Sequence, residues 1–181
     1  MPNPLVLSPK ECQDKTWHPP HDLNFAANKA LVPLHAGELA KAAATMPLAL
    51  IKENREWRLV GVCGIETGHN LFIKDGKWLG EKGLVTFARD SGLLGAEEGE
   101  PFFDEQGQMS EAVATRVEAL KTSHRKHQTT QKALSALAKA KVITPWPEAL
   151  HSQLGLSING LHMVEEKALS QLDDETFLSL R

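Results

Sequence analysis

At 181 residues, with 41% hydrophobic and 24% charged side chains, the chain has the size and composition of one globular domain able to bury roughly 70% of its unfolded surface. Its 20 basic and 23 acidic groups leave a formal net charge of −3, which gives no broad electrostatic reason to bind polyanions and sets nucleic acid aside. Cys12 and Cys63 are far apart and give no disulfide framework, and no run of about 18 apolar residues marks a membrane span.

Met1 to Lys15 contains Leu5-Val6-Leu7 but neither a basic start nor an apolar core of secretory length, so a cytoplasmic protein is expected. Pro2, Pro4, Pro9, Pro19 and Pro20 each remove a backbone donor and bias the preceding residue away from helix. Residues 1–30 therefore read as an irregular arm of a single domain spanning 1–181. From His35 to Thr45 the alanine-rich stretch containing AGELAKAAAT predicts a helix stopped by Met46-Pro47, with Leu39, Ala42 and Ala43 facing a sheet.

Two hairpins follow. Leu48, Leu50, Trp57, Leu59, Val60, Val62 and Ile65 are extended-prone, and the polar break Lys52 to Glu56 is their connection. Leu71-Phe72-Ile73 and Lys77-Trp78-Leu79 flank Asp75-Gly76, a dipeptide that accepts the positive backbone angles of a tight turn. Glycines at 80, 83, 92, 95 and 99 punctuate the middle, with Leu84 to Phe87 as a strand between them.

Ser110 can cap a helix to about Ser123 with the stripe Val113, Val117 and Leu120. Thr129 or Thr130 can cap a second through Lys141, with Leu134, Leu137 and Ala138 inward, which makes a helical pair. Val142 to Thr144 and Gly160 to Val164 read as strands, helical turns begin at Glu166, and Asp173 is placed to cap the last segment. The fold class is α+β, with antiparallel hairpins packed against several short helices.

Among chemistry-bearing residues, His18-Pro19-Pro20-His21-Asp22 offers three metal ligands on a stiff loop. The prolines are as readily explained as a fixed turn. His124 and His127 share a helical face, but Arg125 and Lys126 lie between them and disfavour a cation. Cys63 lies in an apolar strand, where a thiol is buried and inert. The basic cluster Lys121, His124, Arg125, Lys126, His127 and Lys132 could meet a phosphate backbone, and a helix followed by two strands has the order of a winged helix. Pro145-Trp146-Pro147 and the near-neutral charge oppose that reading. His69 and Asn70, beside Gly64 and Gly68, can instead form a binding edge with Trp78 as a stacking wall.

The stretch Gly64 to Trp78, GIETGHNLFIKDGKW, resembles the SapC family of bacterial proteins in its glycine-rich approach to Asn-Leu-Phe and its Asp-Gly-x-Trp. Phe25-Ala26-Ala27 and Val32-Pro33-Leu34 with Glu38 are similar to the family's opening segment, and Met46-Pro47 to the lead into its first long strand. Pro101 to Gly107 matches a Leu-Phe-Asp-x-x-Gly element, and Leu169 to Leu180 the closing run. Glu81 to Gly99, with Arg89 as its one arginine and no tyrosine, departs from the basic and aromatic segment usual in the family.

The resemblance implies architecture and no catalytic mechanism. Surface-layer assembly, which the family name suggests, is poorly matched by a chain without an export signal. The expectation is a non-enzymatic SapC-like accessory protein that presents a sheet edge to a protein or peptide, with His69, Asn70, Phe72, Trp78 and Glu38 as the binding set. No cofactor is expected, and a homodimer is compatible. The alternatives are a metal-dependent or small-ligand enzyme using His18, His21 and Asp22, and a nucleic-acid-binding regulator.

Overall fold

The computed structural model describes residues 7–12, 16–17, 22–79, 94–95, 99–178 and 180. In chain order the strands and helices are β1 (Thr16–Trp17), β2 (Leu31–Pro33), α1 (Leu39–Ala43), β3 (Leu48–Glu53), β4 (Glu56–Val62), β5 (Ile73–Lys74), β6 (Lys77–Trp78), β7 (Leu94–Gly95), β8 (Glu100–Pro101), α2 (Glu111–Lys139), β9 (Ile143–Pro145), α3 (Glu148–Leu154), β10 (His162–Val164), α4 (Glu166–Ser170) and α5 (Asp174–Leu178). Single 3-10 turns occupy Asn24–Ala26 and Ala36–Glu38. All strand pairings among the described residues are antiparallel, and the fold is α+β as expected.

Contacts gather the chain into two units, residues 22–87 with 123–181, and residues 1–21 with 88–122. The larger is built on a five-stranded sheet of order β2-β4-β3-β10-β9. Its central hairpin follows from the sequence. Asn54 and Arg55 take φ of 52° and 68°, the geometry of a two-residue turn whose twist matches the strands. The register sets Lys52 opposite Trp57, with the ammonium 5.6 Å from the indole centroid. Glu53 faces Glu56 across the turn, and Arg58 Nε at 2.8 Å from the Glu53 carboxylate offsets that like-charge pair.

This sheet is buried on both faces. Leu48, Leu50, Trp57, Leu59 and Cys63 enter a core with Val32, Leu34, Ala42, Met46 and Leu134. Their neighbours Ala49, Ile51, Val60 and Val62 enter a second core with Trp146, Ile158 and Leu161. Strands covered on both sides read as continuous apolar runs, as Leu48 to Ile51 and Leu59 to Cys63 do. Gly61 leaves room between them for the Met46 side chain, whose sulfur a Cβ there would displace.

Both sheet edges end in proline placed to the same effect. Leu34 N–H bonds the Leu59 carbonyl and the Ala30 carbonyl accepts from Cys63, so even-numbered residues of this edge face β4 and Pro33 faces outward. On the other edge Trp146 N–H bonds Leu161 O and Val142 O accepts from Glu165, which turns Pro145 outward. Each proline deletes an outward donor that a foreign strand would need.

In the smaller unit β1 lies between β7 and β8, so part of the expected irregular arm is strand. A small core joins Cys12, Phe102 and Val113, with Trp17, Phe103, Met109 and Val117 against it. Ser110 Oγ accepts the Val113 N–H at 3.4 Å and starts α2 where the sequence places it.

The expected helical pair is one helix of 29 residues. No glycine or proline interrupts Glu111 to Ala140, and the threonines read as caps bond backward instead. Thr129 and Thr130 hydroxyls donate to the carbonyls of Arg125 and Lys126 at 3.1 and 2.8 Å. The face proposed for α1 also differs: Ala42 is fully buried, whereas Leu39 and Ala43 are exposed, because the first turn is 3-10 and shifts the phase. The strand expected over Leu84 to Phe87 lies outside the described residues.

Asp173 caps α5 as expected, its carboxylate accepting the Thr176 N–H at 2.8 Å and the Thr176 hydroxyl at 2.9 Å. The first of these bonds holds the Asp173 carboxyl below the usual carboxylate range.

Candidate functional site

The β5-β6 hairpin turns on Asp75 and Gly76, with φ of 49° and 71°. Its underside is fastened to the larger unit. Leu23 N–H donates to the Gly76 carbonyl at 2.8 Å, and Leu71 N–H to the Cys63 carbonyl at 2.8 Å. Phe72 and Trp78 stack with centroids 5.3 Å apart and rings 20° from parallel, and both rest against the core beneath the central hairpin.

Asn70 is the clamp at the entrance. It is 1% exposed, its Nδ2 donates to Ala26 O at 3.3 Å, and its Oδ1 accepts the Phe72 N–H at 2.9 Å. Its own N–H reaches Ala27 O at 2.9 Å. Those bonds join the 3-10 turn at Asn24–Ala26 to the strand entrance, so the amide shapes the site and does not line its surface. His69 is exposed beside it.

Glu38 belongs to a different neighbourhood. Its carboxylate accepts the His35 N–H at 3.0 Å and lies 3.5 Å from the His35 Nε2. The buried His35 ring meets His127 of α2 edge-on at 5.5 Å, and Ala36 N–H donates to Thr130 Oγ1 at 2.8 Å. This cluster docks the turn before α1 onto α2.

Of the metal candidates, His18 and His21 lie outside the described residues. Asp22 is occupied in a local turn, accepting the Asn24 N–H at 2.9 Å and its Nδ2 at 2.7 Å. Among the described residues no group of three or more His, Cys, Asp or Glu is placed to hold a metal ion. His124 is exposed against Gln128, at 3.0 Å, while His127 turns toward His35, so the two do not act as a pair. Burial pushes the Cys63 thiol up to about 12, and its Sγ lies 3.6 Å from Met46 Sδ. Such a thiol is not a nucleophile at neutral pH.

The hairpin also carries exposed basic and apolar side chains. Lys74 and Lys77 stand directly opposite one another, both exposed. Strand alternation puts Leu79, whose N–H donates to Phe72 O, on the same face as Lys74 and Lys77, and Leu71 on the other. Leu79 and Leu71 are 60% and 50% exposed, large values for leucine.

A groove of about 560 Å³ was not anticipated from sequence. It is bordered by Trp146, Glu148, His151, Asn159 and His162. The buried Trp146 meets His151 edge-on at 5.8 Å, and His162 Nδ1 is held 2.9 Å from Gly160 O. Its amide and imidazoles can hydrogen-bond a polar group. Pro145-Trp146-Pro147 and the glycines at 155 and 160 are its only local signals, and the pairing of β9 with β10 assembles them.

Geometry and fold thus define an α+β protein that, among the described residues, exposes large apolar side chains on the β5-β6 hairpin, Leu71 and Leu79, and on α5, Phe177 and Leu178. The SapC family model matches residues 7–89 and 79–181, and the chain belongs to the SapC family. No curated protein and no solved structure matches it. No helix among the described residues is long and apolar enough to cross a membrane.

Proposed function

We propose that this SapC-family protein is a non-enzymatic interaction protein that presents the β5-β6 hairpin, Leu71 to Leu79, to a protein or peptide partner. The observation that carries the reading is the exposed Leu79 on the face of the paired Lys74 and Lys77, with Leu71 exposed at the entrance of the same hairpin, which backbone bonds tie to Leu23 and Cys63. Burying such leucines contributes about 1.5–3 kcal/mol each when they are fully covered. Anchoring by Asn70 and the Phe72-Trp78 stack keeps the rim ordered before binding, which lowers the entropy cost of association. Recognition falls to the hairpin and not to the five-stranded sheet, whose two edges Pro33 and Pro145 blunt.

The test is capture from extracts of the organism that encodes the chain, comparing wild type with Leu71→Ser/Leu79→Ser. Wild type is expected to retain a stoichiometric protein that the variant loses while keeping its thermal unfolding midpoint. Equal capture by both would contradict the proposal.

A further inference from the structure

Resting on that reading, the chemistry of the rim narrows what it meets. Lys74 and Lys77 face each other across a two-residue turn, and like charges directly opposite in a hairpin destabilise it. A negatively charged partner relieves that repulsion, and an apolar patch on the same partner covers Leu79, which shares the face of the lysines. The occupant therefore combines acids with large apolar side chains on one short face.

This chain carries such a face. α5 spans Asp174–Leu178, and at 100° per residue Asp174, Glu175, Phe177 and Leu178 fall on one side of it. Thr176 falls on the other, where it bonds Asp173. All four residues of the outer side are exposed, with Phe177 at 47% and Leu178 at 57%. Two acids and two large apolar groups thus stand outward together, the complement of two lysines and the leucine beside them.

We infer that the face of the hairpin that carries Lys74, Lys77 and Leu79 docks the outer face of α5 from a second copy of this chain, with Lys74 and Lys77 against Asp174 and Glu175, and Leu79 against Phe177 and Leu178. Because each copy carries both faces, a two-fold arrangement makes the contact twice and closes as a dimer. The charged part of the contact is exposed and weakens with added salt, while the apolar part persists.

Sedimentation equilibrium of the full chain tests this with two double variants, Lys74→Glu/Lys77→Glu and Asp174→Lys/Glu175→Lys. Wild type is expected to dimerise, each variant alone to associate about tenfold more weakly, and an equimolar mixture of the two to recover the wild-type constant, since opposite charges then meet at both contacts. Recovery in the mixture also establishes that both variants fold. A wild type that stays monomeric to roughly millimolar concentration overturns the inference, as does weakening by the hairpin variant alone. If the monomeric wild type still captures a different protein through Leu71 and Leu79, the inference fails and the wider interaction reading stands. If the rim is dispensable in both experiments, both fall.

Discussion

Asn70 holds three backbone groups at the root of the hairpin, and its removal tests how much of the rim's order comes from one amide. Asn70→Ala leaves the Phe72 N–H and the Ala26 carbonyl without their side-chain partner in a buried site, which costs about 2–3 kcal/mol. Urea unfolding is expected to report that loss, and a change under about 0.5 kcal/mol would mean that the clamp is redundant. Cys63 makes a second residue-scale prediction. Its folded pKa is raised from 9.0 to about 12, so the unfolded thiol ionises first as pH rises. Stability conferred by the protonated thiol is complete below about pH 9 and is lost progressively toward pH 12. Cys63→Ala is expected to flatten that alkaline decline, read as unfolding midpoint against pH.

Among the elements, the hairpin turn is the most sensitive to a small change. Gly76 sits at φ +71°, and a Cβ there would come 2.6 Å from the Asp22 Cβ. Left-handed backbone alone costs an L-residue about 1–2 kcal/mol, and the contact adds to it. Gly76→Ala is expected to destabilise the protein by about 2 kcal/mol or more and to speed amide exchange at Leu23, whose N–H bonds the Gly76 carbonyl. Unchanged exchange at Leu23 would contradict this role for the turn. The turn was legible in the sequence because Asp75-Gly76 has few other uses between extended apolar runs, and the β3-β4 pairing was legible for a similar reason.

The continuity of α2 was not legible. Threonine can cap a helix or bond the carbonyl four residues back, and at Thr130 the choice is settled by an Ala36 N–H from 94 residues away. The burial of Asn70 was hidden for the same reason, since its partners are on the 3-10 turn at Asn24–Ala26. Local patterns reveal where the chain turns, whereas long-range pairing decides which side chains reach the surface. The groove at Trp146 depends entirely on such pairing and left only punctuation in the sequence.

For the whole molecule, the paired edge prolines carry a prediction about solubility. Pro33→Val and Pro145→Val each restore an outward backbone donor, and the double variant is expected to self-associate through strand pairing, seen as concentration-dependent light scattering and added β signal. A double variant as soluble as wild type would mean that other features protect these edges.

The most direct measurement places a photo-crosslinking amino acid at Leu79 and, as a control, at the exposed Ser135 of α2, in the native host. If the rim is the docking face, Leu79 gives one discrete protein adduct, whether a second copy or another chain, and Ser135 gives none. A protein that crosslinks equally at both positions, or at Ser135 alone, would contradict it.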